Sequence, residues 1–90
     1  MIIGKVIGNV WATRKDEKLN GFTFLVVKPL YQDNKIFVAA DGGVGAGVED
    51  LVLVVSGSSA RVSLDGKSDI PIDATIVGVI DKVDIDETIV

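Results

Sequence analysis

Short apolar runs, several of them alternating with polar positions, recur along the chain between segments rich in glycine, asparagine and aspartate. Such runs are typical of β-strands, because every second side chain of a strand faces the same side. No segment has a strong helical period. The pattern predicts five strands, over residues 2–12, 22–31, 36–40, 51–55 and 74–83.

Glycines interrupt the first predicted strand. The alternation of a strand predicts that Gly4 and Gly8 lie on the same face as Ile2, Val6 and Val10. Glycine within a strand commonly marks a bend or a close approach of another backbone, as at the corner of a small barrel. We therefore expect this strand to bend around a closed or nearly closed sheet.

One short helix is expected over residues 56–64, where Ser58 can cap the N-terminus and Ala60 and Leu64 lie one turn apart. Together with five strands, this helix predicts a mainly β fold, a small five-stranded OB-like β-barrel. The chain of 90 residues is expected to form a single domain, residues 1–90.

The hydrophobic content is high for so short a chain, at 48%. A domain of this size buries only about 60–65% of the surface of its unfolded chain. One protomer therefore cannot hide all of its valine, isoleucine and leucine side chains. Since soluble proteins avoid large exposed apolar patches, we expect these surfaces to face other copies in an obligate homo-oligomer.

The charge distribution argues against a nucleic-acid partner. The net charge is −4, and the 9 lysines and arginines are scattered. The densest basic stretch, residues 14–18, is interrupted by acids and lies in a polar loop at 13–21. Aromatic residues could form a stacking platform for bases, but such platforms need a cationic groove beside them. Core and interface packing is the better interpretation for Trp11, Phe22, Phe24, Tyr31 and Phe37.

No constellation of residues indicates an enzyme or a cofactor site. The chain contains neither histidine nor cysteine, which removes imidazole bases, thiol nucleophiles and the usual zinc ligands. The acidic residues near the C-terminus lack the spacing of a calcium loop and are better explained as a solvated edge that prevents aggregation. They are Asp81, Asp84, Asp86 and Glu87.

Neither a membrane span nor a secretion signal is expected. No apolar run approaches the ~20 residues that cross a bilayer. The first ten residues, MIIGKVIGNV, lack the apolar region and cleavage site of a signal peptide. A cytoplasmic location without a membrane partner is therefore predicted.

The loop DGGVGAGVED, residues 41–50, raises the question of phosphate binding. A phosphate-binding loop needs a specific glycine spacing, or a terminal Gly-Lys-Ser/Thr, and leads into a helix. Neither spacing is present, the next segment is a predicted strand, and Glu49 and Asp50 carry negative charge where an anion would arrive. The loop is interpreted as a tight turn.

Four separated motifs resemble one known family. They are KVIGNVWATRK at 5–15, GAG at 45–47, GSSAR at 57–61 and PIDATIVGVID at 71–81. In this order and spacing they are similar to the EutN/CcmL family, the pentameric vertex proteins of bacterial microcompartment shells. The likeness spans nearly the whole chain.

This resemblance implies a structural role in a cytoplasmic shell, with no enzymatic activity and no cofactor. The implied partners are identical copies in a pentamer and hexameric shell proteins; an OB-type module that binds an oligonucleotide or a sugar is the alternative. In the implied pentamer, the glycine loop would lie close to the backbone of a neighbouring subunit. Arg61 and Asp73 would form ion pairs at the subunit boundary. The candidate interface residues are Gly45, Ala46, Gly47, Asp50, Ser58, Arg61 and Asp73.

One position departs from the pattern of the family. The family loop usually continues G-A-G-x-G-E, whereas Glu49 here occupies the glycine position and Asp50 the glutamate position. If the glycine position requires a positive φ, Glu49 is strained there, or the loop follows a different path.

Overall fold

A computed structural model describes residues 1–13, 15–31, 35–57, 60 and 71–86. Five strands close into a barrel in the order β1-β2-β3-β5-β4, which confirms the predicted mainly β, five-stranded fold. The strands are β1 (Ile2–Val10), β2 (Thr23–Pro29), β3 (Phe37–Asp41), β4 (Leu51–Ser56) and β5 (Ala74–Ile80).

The structure describes the predicted helix only in part. Ser56, its first predicted residue, is the last residue of β4, whereas Ala60 is helical. Ser58 and Leu64 lie outside the described residues. Within the described part of the chain, a 3-10 helix covers Glu17–Leu19, in the segment predicted as a loop. It forms there because the Asp16 side chain accepts a hydrogen bond of 2.9 Å from the Lys18 N–H and caps the turn.

Two kinds of pairing close the barrel. Neighbouring strands are antiparallel, except that β3 and β5 are parallel and meet at Ala40 and Thr75. On the other side, β1 pairs with β4 only from Ile2 to Lys5. Beyond Lys5, Val6 bonds to the backbone of Glu49 and Asp50, and the strand up to Val10 pairs with β2. The C-terminal end of β1 therefore projects beyond the β1–β4 contact.

The core follows the alternation of the strands. Leu25 and Val27 of β2 point inward, as do Val52 and Val54 of β4, and all four are at most 1% exposed. A smaller cluster, formed by Ala40 and Ile72 with the half-buried Leu19, Phe22 and Phe24, packs beside it. The main cluster consists of Val6, Leu25, Val27, Ala39, Val52, Val54, Ala74 and Ile76.

The two glycines of β1 have different surroundings. A Cβ on Gly4 would overlap Cγ1 of Val27 and lie 3.0 Å from the carbonyl oxygen of Lys28, which confirms the predicted close approach. The prediction that Gly8 and Val10 share the face of Val6 is wrong. A bulge between Val6 and Gly8 shifts the register by one residue, which turns the rest of the strand to the opposite face.

The last strand leaves apolar side chains uncovered. Ile76 is buried, but Val77 and Val79 are 37% and 41% exposed. The pairing of β5 with β3 is confined to Ala40 and Thr75, before these two valines. Among the residues with described structure, no helix is long and apolar enough to cross a bilayer.

Candidate functional site: the glycine loop and two apolar patches

The glycine loop, residues 42–50, is organised around the carboxylate of Asp41. This side chain is only 5% exposed. Its Oδ1 accepts hydrogen bonds from the N–H groups of Gly43 (2.9 Å) and Val44 (2.7 Å). Its Oδ2 accepts from those of Gly45 (3.0 Å) and Ala46 (2.7 Å). One carboxylate therefore holds four consecutive backbone donors in a tight turn.

The protonation of Asp41 reflects two opposing effects. Burial disfavours its charged form and would raise the pKa of the carboxyl group. The hydrogen bonds from Gly43, Ala46, Val44 and Gly45 favour the charged form, and together they lower the pKa below the ordinary value of 3.8. The buried group is therefore a carboxylate near neutral pH.

Asp50 closes the second half of the loop. Its Oδ2 accepts a hydrogen bond of 2.8 Å from the N–H of Gly47, and its own N–H donates to the carbonyl oxygen of Gly47 at 3.1 Å. Every N–H from residue 43 to residue 47 thus donates to a carboxylate of the same loop. These groups cannot also form a phosphate cradle, which agrees with the interpretation of the loop as a turn.

Glu49 has the backbone conformation expected for a glycine. Its φ is +82°, and it is the sole non-glycine residue with a positive φ among those described. Its N–H donates to the carbonyl oxygen of Val6, and the N–H of Val6 donates to the carbonyl oxygen of Asp50, each at 2.9 Å. These two hydrogen bonds hold the loop against β1. The strain predicted at this position is therefore present.

The side chain of Glu49 forms an ion pair at the surface. Its Oε2 lies 3.0 Å from Nζ of Lys5, and the two side chains are 78% and 42% exposed. A pair with this exposure is worth less than about 1 kcal/mol. The contact adds little compensation for the strained backbone.

The structure brings some of the candidate interface residues together and separates another. Gly45, Ala46, Gly47 and Asp50 lie in the glycine loop, which enters β4 at Leu51. Asp73 lies beyond the opposite end of β4, where its carbonyl oxygen accepts a hydrogen bond of 2.7 Å from Gly57. Ser58 and Arg61 lie outside the described residues.

Asp41 was not among the candidate residues identified from the sequence. A signal for it was present, because aspartate followed by Gly-Gly is typical of turns in which the carboxylate accepts hydrogen bonds from the next N–H groups. What the sequence pattern does not indicate is the number of donors, since four bonds require the loop to fold back over Asp41.

An apolar groove of about 390 Å³ lies at the end of the barrel where β1 begins and β4 ends. Two of its exposed aliphatic side chains are Ile36 (53%) and Val38 (46%). Its polar lining comes from Lys35, Ser56 and Asp73. We call this surface the groove; its apolar lining consists of Ile2, Pro29, Ile36, Phe37, Val38 and Ala74.

A second apolar patch lies at the other end of β1. Ile7 and Val10 are 43% and 38% exposed, and Trp11, which follows the strand, is 85% exposed. We call these three residues the ridge. The groove and the ridge are two different apolar surfaces of one protomer.

The predicted alternatives find little support in this geometry. Phe22, Phe24 and Phe37 are half-buried and pack against the two core clusters, whereas Trp11 and Tyr31 are exposed. The five aromatic residues therefore do not share one stacking face. In the described part of the chain, no three acidic residues are close enough to hold a metal ion.

The chain forms a closed barrel with two exposed apolar patches. The backbone N–H groups of its glycine loop are bonded within the chain. These features are those of a structural protein that assembles with other chains. The family model described as ethanolamine utilisation protein EutN/carboxysome matches residues 1–81. This chain belongs to the EutN/CcmL family, as the four sequence motifs indicated.

Curated relatives and solved structures agree with this membership. The chain is 45% identical over 87 residues to the carboxysome shell vertex protein CcmL of Thermosynechococcus vestitus, covering 92% of this chain and 86% of the relative. It is 46% identical over 88 residues to the bacterial microcompartment shell vertex protein GrpN of Rhodospirillum rubrum, covering 93% and 97%. The solved structure of that pentameric protein superposes with a TM-score of 0.81, over 94% of this chain and 99% of the other.

These relatives are structural proteins of microcompartment shells, and neither is named as an enzyme. The prediction of a shell vertex protein is supported over that of an OB-type binding module. Relatives from carboxysomes and from another microcompartment both match this chain.

Proposed function

We propose that five copies of this chain form a closed ring that occupies the vertices of a bacterial microcompartment shell in the cytoplasm. The ring would be a structural part without catalytic activity. Its relative GrpN is pentameric, and the two proteins share both sequence and fold over nearly their whole lengths.

The observation that carries the proposal is the amount of apolar surface that the barrel leaves uncovered. Among the described residues, thirteen large hydrophobic side chains are exposed, whereas eleven hydrophobic residues are buried. A stable monomer rarely exposes so many apolar side chains. Assembly into a ring removes much of this surface from water.

The geometry of a ring also requires two different patches on each subunit. A cyclic assembly is head-to-tail, so that one surface of a subunit contacts a different surface of the next one. The groove and the ridge are two such surfaces.

Hexameric shell proteins are the proposed neighbours of the ring. A flat layer of hexagonal tiles cannot close on itself, and pentagons inserted among the tiles supply the curvature. Five copies of one small barrel provide a unit with the required five-fold symmetry.

The glycine loop and the residues after β4 are the proposed subunit contacts. In the loop, Gly45, Ala46 and Gly47 present a surface with small side chains, and Asp50 fixes its shape. Asp73 is exposed beside the groove. Ser58 and Arg61 complete the proposed set, with Arg61 pairing with a carboxylate of the neighbouring subunit.

Sedimentation equilibrium and native mass spectrometry of the purified full chain test the proposed function. We expect a pentamer that persists on dilution into the low micromolar range. A monomer at these concentrations would overturn the proposal. A filter-binding assay with single-stranded oligonucleotides tests the alternative function; salt-dependent binding would favour an OB-type module.

A further inference from the structure

We propose that Trp11 of one subunit inserts into the groove of the neighbouring subunit and is a principal anchor of the ring. This inference rests on the proposed function, because it assigns a specific contact to the head-to-tail interface. It commits the groove to one occupant, the ridge of a second copy of this chain.

The described residues of its own protomer leave Trp11 almost uncovered. It is 85% exposed, the highest value among the large hydrophobic side chains of the described residues, and it lies next to the exposed Val10. A tryptophan buries about 150–250 Å² when it is enclosed, and its indole N–H finds a polar partner. Such exposure of the largest apolar side chain is typical of a contact surface.

The groove matches this side chain in size and chemistry. Its volume of about 390 Å³ is within the range of pockets that enclose small organic groups. Ile36, Phe37 and Val38 supply apolar walls. Ser56 and Asp73 supply oxygen atoms that can accept a hydrogen bond from the indole N–H.

The Trp11 side chain does not occupy the groove of its own protomer. It is 85% exposed and is not among the residues that line the groove. Ile2 lines the groove at the start of β1, whereas Trp11 follows Val10 at the end of that strand. The Trp11 side chain of a neighbouring copy is therefore the assigned occupant.

Charges beside the two patches are compatible with this arrangement. The groove includes the cation Lys35 and the anion Asp73. The segment after Trp11 carries the exposed cations Lys15 and Lys18 and the exposed anions Asp16 and Glu17. Both surfaces thus carry charges of both signs, which allows opposite charges to face each other at the edge of the contact.

The chain contains one tryptophan, so its fluorescence reports directly on this contact. In the wild-type ring we expect a blue-shifted emission and at least about fivefold slower iodide quenching than for N-acetyl-tryptophanamide. Native mass spectrometry establishes the oligomeric state of the same sample.

Two variants test the two sides of the contact. Trp11→Ala and Val38→Asp are each expected to weaken assembly at least about tenfold in dissociation constant, because truncation of an aromatic anchor or a charge in its pocket has effects of this size. Val38→Asp should also shift the remaining tryptophan emission to the red. Ile85→Asp, an exposed apolar residue outside both patches, is the matched control and should leave emission and assembly unchanged.

The outcomes separate this inference from the proposed function. An intact pentamer whose tryptophan is quenched as fast as the reference compound overturns the inference and leaves the proposed function standing. A protected tryptophan whose emission does not respond to Val38→Asp also overturns it, because the indole is then buried elsewhere. A wild-type monomer overturns both proposals.

Discussion

The N–H of Glu49 donates a hydrogen bond of 2.9 Å to the carbonyl oxygen of Val6, although the φ of Glu49 is +82°. A glutamate is thus held in a conformation that favours glycine because the loop must return to β1 at this point. The bond extends the pairing of β1 by one residue beyond its contact with β4 at Lys5 and Leu51. This relationship makes Glu49 a local weak point of the barrel.

Glu49→Gly should therefore stabilise the protein. Relief of the positive φ is worth about 1–2 kcal/mol. This exceeds the cost of greater freedom in the unfolded chain, about 0.5–1 kcal/mol. We expect a net gain of about 0.5 kcal/mol in the free energy of unfolding, measured by urea denaturation at one fixed protein concentration. Glu49→Ala keeps the strain and loses the ion pair with Lys5, so it should be no more stable than the wild type. A glycine variant less stable than the alanine variant would contradict this account.

Asp41→Asn should destabilise the protein by about 2–4 kcal/mol. An asparagine has one acceptor oxygen, so two of the four N–H groups that now donate to Asp41 would face an amide NH₂ instead. Denaturant unfolding measures the loss. Asp81→Asn removes an exposed carboxylate outside the proposed contacts and is the matched control, with an expected change below about 0.5 kcal/mol. Equal effects of the two substitutions would show that the turn does not depend on the charge of Asp41.

The pKa of Asp41 predicts an acid-sensitive component of stability. Because the pKa in the folded state lies below the ordinary value of 3.8, the unfolded chain binds the proton more readily. The contribution of this carboxylate is fully present above that ordinary pKa and is lost as the pH falls from it through the lower pKa of the folded state. Thermal unfolding from pH 6 to pH 2.5 measures this dependence, and Asp41→Asn should make it shallower. An unchanged slope in the variant would assign the acid sensitivity to other groups.

Gly4→Ala should destabilise the barrel by at least about 2 kcal/mol. The new methyl group would overlap the buried Val27 and press against the backbone of Lys28, and neither neighbour can move without disturbing β2. Gly8→Ala, in the same strand, is the control, because its Cβ would have its nearest contact at 3.7 Å from Val26. The melting temperatures of the two variants at equal concentration provide the measurement. Similar losses in both would indicate that strand glycines act through conformational freedom rather than close packing.

Much of the fold could be predicted from local pattern. Apolar runs separated by polar and glycine-rich segments place the five strands to within a few residues. The strands are predictable because β-rich runs bounded by turn residues are a property of the local sequence. The run LVLVV at 51–55 is apolar throughout, so its pattern does not identify Val52 and Val54 as the buried residues.

The candidate site was predictable only in part. Four separated motifs indicated the family, and the departure from its loop pattern identified Glu49 as a strained position. The sequence did not indicate that Asp41 binds four N–H groups, nor that β1 changes face after Val6. The first feature depends on how the loop of the next few residues folds over Asp41. The second depends on the pairing of β1 with β2, a segment distant in the chain.

The amino-acid sequence by itself determined the strands, the excess of apolar residues and the family. The tertiary structure decided where the excess apolar side chains lie, in the groove with Ile36 and on the ridge with Trp11. It also decided that the N–H groups of residues 43–47 donate to carboxylates of the same chain. The physical reason is that alternation depends only on neighbours along one strand. The exposure and hydrogen bonding of a side chain depend instead on which strands pair. Here two features of the pairing matter, the bridge between Ala40 and Thr75 and the bulge after Val6.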